Sequence, residues 1–262
     1  LGMIEDSVGA EGDDVNEMSD PCTPQLRAID GINPFDRGFQ EALAAGVTAV
    51  MTGPGSANAI GGQTALIKTW GKSVDKMIIP QVRGMKFALG ENPKSVYGEK
   101  HQTPTTRMGE AALIRQQLYE AKRYMEDKEA AENDDELDPP DYDMKCESLI
   151  PLLKRKAKAH FHAHRASDIC TAIRIAKEFN LDYLLVHCSE GHLISDILAE
   201  EGAKVINGPI LGPRTKPELR NFEGTQTTKK LLEAGLTVAV CTDHPEVTSE
   251  YLAFSASVAT KG

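Results

Sequence analysis

Short apolar runs, each bounded by glycine, proline or a charged turn, alternate along this chain with longer stretches whose apolar positions recur at helical spacing. From Pro34 the segment PFDRGFQEALAAG predicts a helix stopped at Gly46, and VTAVMTG a strand emptying into the glycine-rich turn PGSANAIGG. That turn lacks the lysine and the glycine spacing of a phosphate loop, so it is expected to be a tight loop at the mouth of the fold. TALIKTWG and DKMIIP are further apolar runs, and GMKFALGENPK predicts a strand ending at Gly90 and Glu91. Thr105 or Thr106 is positioned to cap a long helix from near Arg107 to Asn133, with Ala112, Leu113, Leu118 and Tyr124 on its buried side. A second helix, MKCESLIPLLKRKAK, leads to the strand AKAHFHAH. Behind that strand Ile169, Ile173, Ala176 and Phe179 fall at helical spacing after Ser167 or Asp168 as N-cap. LDYLLVHC, AKVINGPI and LTVAVCTD then read as strands, separated by the helices SEGHLISDILAEEG and TQTTKKLLEAG and by the loop LGPRTKPELRNFEG with Arg214 and Arg220. Strict strand-helix alternation from Pro34 to Asp243 predicts an α/β protein built on a parallel sheet or barrel. Before Pro34, residues 9–33 lack apolar periodicity and are rich in Gly, Asp, Asn and Pro, which predicts a long loop, either covering a functional site or disordered.

The polar residues interrupt this pattern at strand ends. Residues two apart on a strand face the same way, so His160, His162 and His164 share one side. LDYLLVHC ends in His187, and LTVAVCTDHP in Asp243 and His244. In a parallel barrel the carboxyl ends of all strands converge on one mouth, so these side chains are expected to meet in a shared metal site. A lone buried histidine more often satisfies a hydrogen bond; the recurrence at three strand ends is what points to a metal. Glu91 is a fourth polar residue at a strand end. Cys188 and Cys241 alternate off the ligands' face and are expected to pack.

Composition narrows the classes. The 262 residues fit one barrel domain over 1–262, and the formal net charge of −10 with no basic stripe argues against a nucleic-acid or anionic-membrane footprint. The strongest charge run, 126–143, is acidic, ends in two prolines, and predicts a solvated surface insertion. Five cysteines without a CxxC pair fit reduced thiols in a soluble, cytoplasmic protein, and no apolar stretch is long enough to span a bilayer. A homo-oligomer is compatible with all of this.

Taken together, FHAHRASDI, LLVHCSEGHLI, NGPILGPR and VAVCTDHP resemble the amidohydrolase superfamily in its imidazolonepropionase-like branch, and the resemblance extends from GINPFDRGFQEALAAGVTAVMTGPGSAN onward. It implies a (β/α)8 TIM-like barrel, incomplete at both ends, that uses one or two divalent metals, zinc foremost, to hydrolyse a cyclic amide, an amide or another carbon-nitrogen bond of a small-molecule substrate. It implies metal ligation by His162, His187 and Asp243, with Glu91 as a further ligand. Asp243 would take the proton from the water, and His187 would bind metal or stabilise the oxyanion. His164, Arg165 and His244 would contact substrate or support the ligands. The family's His-x-His pair on the first strand would precede Leu1, so the fragment alone is expected to be inactive. Two rivals remain at this stage: a catalytically inactive binding or scaffolding barrel, and a metal-independent lyase using Lys86 as a Schiff base.

Overall fold

A computed structural model describes residues 1–5, 8–212 and 214–261; Pro213 of the NGPILGPR loop lies outside them. Seven strands form one sheet in sequence order: β1 (Ala49–Thr52), β2 (Ile60–Lys68), β3 (Ile78–Ala88), β4 (Lys158–Ala163), β5 (Tyr183–His187), β6 (Lys204–Asn207) and β7 (Thr237–Val240). From β3 to β7 every neighbouring pair is parallel, giving a half-barrel.

The expected strict alternation fails before β3. β1 pairs antiparallel with β2, and β2 with β3. Antiparallel neighbours need only a short connection, and no crossover helix intervenes; the four-residue helix α2 (Val74–Met77) merely precedes β3, while α1 (Arg37–Ala44) comes before β1. The glycine-rich turn is shorter than expected, because Ile60, Gly61 and Gly62 already belong to β2.

Helices cross over between the parallel strands. α3 (Glu91–Glu99), α4 (Arg107–Asn133) and α5 (Met144–Leu153) join β3 to β4; α6 (Ala166–Glu178) joins β4 to β5; α7 (Ser195–Glu200) and α8 (Thr225–Glu233) serve the next two connections; α9 (Leu252–Ala259) follows β7. Thr106 caps α4 through Gly109 N–H at 3.1 Å, and Asp143 caps α5 through Cys146 N–H at 2.9 Å. The buried side of α4 is Ala111, Ile114, Leu118, Ala121 and Tyr124; Ala112 faces solvent, one residue off the expected stripe. Segment 126–143 is the last turns of α4 followed by an exposed connection to α5.

β4 is buried on both faces, as a central parallel strand must be. Ala159, Phe161 and Ala163 alternate with the histidines, and Phe161 stacks on Phe87 of β3 with ring centroids 4.8 Å apart in the core beneath the helices. The histidines on the opposite face are thereby turned into the half-barrel. A separate, smaller cluster of Met3, Ala28, Ile32, Phe39, Ile67 and Met77 lies under the antiparallel arm. The long early segment is ordered against that arm: Thr23 N–H donates to Ile60 O at 2.8 Å and Gln63 N–H to Leu26 O at 2.8 Å.

Candidate metal centre

The carboxyl ends of β4 and β5 bring together His162, His164 and His187, all buried, with one ligating atom of each within 4.8 Å of the others. Ring centroids are 4.5 Å apart for His162 and His187, 4.6 Å for His164 and His187, and 4.7 Å for His162 and His164. His187 and the following Cys188 have φ of 71° and 51°, and Asp243, beyond β7, has φ 53°. Non-glycine residues in this left-handed region carry backbone strain. Here it turns the chain sharply just where the functional side chains emerge.

Each ring is held by specific partners. His187 Nδ1 donates to Gly208 O at 2.7 Å, which leaves its Nε2 as the lone-pair nitrogen. Asn207 of β6, fully buried, fixes the same residue's backbone by donating Nδ2–H to His187 O at 2.6 Å, and accepts from Thr228 Oγ at 2.7 Å. His164 Nδ1 meets Ser189 Oγ at 2.7 Å, and its Nε2 stands 3.7 Å from Glu218 Oε1. His162 Nε2 faces Asn92 Nδ2 at 3.5 Å, while its Nδ1 is buried without a hydrogen-bond partner among the described residues. Burial lowers the protonation of all three, well below the ordinary histidine range at His162 and His164, where their mutual proximity adds to the effect; at His187 the nearby Asp243 opposes it. At neutral pH they are uncharged imidazoles with lone pairs. An orphaned buried nitrogen, a second nitrogen freed by the Gly208 bond, and a neutral imidazole set fit a borderline divalent ion.

A cavity of about 700 Å³ opens over His162 and His187, lined also by Lys86, His160, Lys216 and Asp243; His164 lies outside its lining. His160, on the same face of β4, is pushed down to about 4, chiefly by burial and then by Lys86. Its ring occupies space left by Gly84 of β3, where a Cβ would lie 2.3 Å from His160 Cε1. Lys86 is half-buried, its proton affinity lowered by burial and partly restored by Asp243 and Cys241. Asp243 itself is exposed to the cavity.

The other expected site residues fall differently. His244 lines the cavity, whereas Arg165 precedes α6, half-buried and outside the lining. Glu91 is not at a strand end but opens α3, and its Oε2 accepts from Glu218 N–H at 3.3 Å. Asp168 is not the N-cap of α6; its carboxylate is bound by Arg107 Nε at 2.8 Å, and the Ala166 N–H at the start of the helix is met by Glu190 Oε2 at 2.8 Å. Asn92, Ser189, Asn207, Lys216 and Glu218 are contributors that pattern did not single out. Their only sequence signal is the accumulation of polar residues in GENPK, HCSEGH and NGPILGPRTKPELR.

A half-barrel whose parallel strand ends gather buried neutral imidazoles beside a cavity that Asp243 also lines defines a barrel-type protein with a metal-capable mouth. The crystal structure of an amidohydrolase from Thermotoga maritima MSB8 is 44% identical, superposes with a TM-score of 0.95, and is covered over 68% of its length by 100% of this chain. The curated amidohydrolase tasK of Hapsidospora irregularis is 30% identical over 268 residues, 94% of this chain; the chain spans only 27% of that relative's length. No protein-family model matches the sequence. The chain belongs to the amidohydrolase superfamily.

Proposed function

We propose that the protein is a metal-dependent hydrolase of a cyclic amide, an amide or another carbon-nitrogen bond in a small molecule, with zinc as the metal. The observation that carries this is the buried, uncharged trio His162, His164 and His187, two of which line the cavity. His162 and His187 would hold the ion, and His164, engaged by Ser189 and stacked on His187, would fix the geometry or complete the set. A bound divalent ion supplies Lewis acidity, bringing the pKa of its water to about 7 and polarising the scissile carbonyl. Asp243, open to the cavity and close enough to influence His187, would accept the proton of the attacking water at its carboxylate and return it to the leaving nitrogen. His244 would contact the substrate.

The deciding experiment measures metal content and turnover together, on the intact protein and two variants, against cyclic amides and acyl dipeptides. His162→Ala is expected to lower metal stoichiometry. Asp243→Asn should keep the metal and lose about 10²–10⁴-fold in kcat, because an amide cannot take the proton. An Asp243→Asn protein with most of its activity contradicts the assignment. Full occupancy with no turnover of any substrate favours the binding barrel, and a borohydride-trapped adduct at Lys86 favours the Schiff-base lyase. The same assay on residues 1–262 alone, where turnover near that of the intact protein would count against it, tests the expectation that the fragment is inactive.

A further inference from the structure

We infer that Lys216 is the substrate's anion-binding residue, so that the amide hydrolysed carries a carboxylate beyond the scissile bond. This rests on the cavity being the substrate pocket of the proposed hydrolase. Lys216 lies on the loop after β6 and lines the cavity half-buried. Among the described residues no carboxylate stands at ion-pair distance from its ammonium; Nζ instead donates to Asn92 Oδ1 at 3.0 Å. That acceptor is built for the purpose, because Asn92 commits its other end, Nδ2, to Ser56 Oγ at 2.6 Å and to the edge of His162 at 3.5 Å. The amide orientation is thereby fixed, and the lysine is tied to the metal-capable histidine through one side chain.

The loop is fastened on both sides of this contact. Glu91 N–H donates to Glu218 Oε2 at 2.9 Å while Glu218 N–H donates to Glu91 Oε2 at 3.3 Å, a reciprocal pair joining the loop to the start of α3, one residue before Asn92. Glu218, two residues from Lys216, feels its charge but spends this oxygen on the fastening. A half-buried ammonium with a neutral acceptor keeps donors to spare. Among the described residues lining the cavity, Lys216 and Lys86 are the only lysine or arginine side chains, and Lys86 lies close enough to Asp243 to feel its charge. One ammonium supported by one amide suits a monoanionic carboxylate; a dianionic phosphate asks for several converging N–H donors.

The test measures binding of paired probes, N-acetyl amino acids and their neutral carboxamides, to the metal-loaded full chain by calorimetry, beside turnover of the amide panel. The wild type is expected to prefer the carboxylate. Lys216→Met should weaken carboxylate binding by about tenfold or more, as loss of a hydrogen bond to a charged group does, with the carboxamide changed less than twofold and Lys216→Arg recovering most of the loss. Equal affinities within the pairs, equal losses on substitution, or no binding of any carboxylate by the wild type overturns the assignment. So does competition by inorganic phosphate stronger than by acetate. Lys216-dependent carboxylate binding without turnover of any amide would leave this subsite standing and remove the hydrolase.

Discussion

Under the parallel strands lies a continuous apolar cluster that reaches from Phe87 and Phe161 through the inner faces of α4, α5, α6 and α8, whereas the antiparallel arm rests on a separate, much smaller group around Phe39, Ile67 and Met77. The strand ends that carry chemistry belong to the first region. β4 is buried along nearly its whole length, while in β1 Ala49 and Met51 are exposed, Val50 is half-buried and Thr52 alone is buried. A metal-capable site needs side chains held to fractions of an ångström by their neighbours. The arm closes one wall of the cavity and supplies polar contacts such as Ser56, a task that tolerates looser packing.

The sharpest way to break this comparison is to truncate one residue in each region. Phe161→Ala, at a fully buried stacked ring, is expected to cost about 3–5 kcal/mol, whereas Met51→Ala on the exposed side of β1 should cost less than about 1 kcal/mol. Denaturant unfolding of both variants checks this, and equal losses would show one uniform scaffold.

A second experiment sharpens the comparison inside the parallel half. Glu110 of α4 is fully buried, accepts from Gly90 N–H at 2.9 Å, and is pushed up to about 7, chiefly by burial. The unfolded carboxyl titrates near 4.5. Below that both states hold the proton and folding gains fully; as pH rises through about 7 the unfolded state ionises first and stability is lost. Glu110→Gln removes the ionisation, so its advantage over the wild type should grow from none below pH 4.5 to at most about 3 kcal/mol at pH 8. The buried histidines destabilise both proteins alike at low pH and cancel in the difference. A flat difference across that range would show that Glu110 is not held protonated.

The smallest effect is expected at Gly90, which joins the two regions' chemistry. Its φ is +110°, and a Cβ there would sit 2.9 Å from Glu218 Oε2 and 3.1 Å from Asp168 Oδ2. Gly90→Ala should cost about 1–3 kcal/mol. Because it presses on the carboxylate that fastens the Lys216 loop, it should also weaken carboxylate binding. Full stability with normal binding would mean that the loop is held elsewhere.

How far these features could be read from sequence follows the same division. His162, His187 and Asp243 stood out because each ends an apolar run that a helix follows, and such ends converge in a parallel sheet. Strand direction in the arm was not legible: an apolar run looks the same whether its neighbour is reached by a crossover or by a short turn. In sequence Glu91 follows the apolar run GMKFALG and reads as its end, because the short polar segment ENPK after it carries no helical periodicity. Proline is tolerated in the first turn of a helix, where its missing N–H has no partner to lose, and α3 starts at Glu91. His164 is legible as a histidine on the shared face of the run, whereas its stacking on His187 depends on the turn after β4, which periodicity does not show. Asn92 and Lys216 are separated by 124 residues and sit in loops, so no periodicity links them.

The reciprocal clasp between Glu91 and Glu218 also bears on how such a protein can change over time. Each half uses a main-chain N–H, which every residue but proline provides, so the loop's path depends on two carboxylates and not on the side chain displayed at position 216. Variation at that position is therefore decoupled from the fastening. A lineage could trade the ammonium for an apolar or acidic group and explore a new leaving group without first disturbing the imidazoles beneath it.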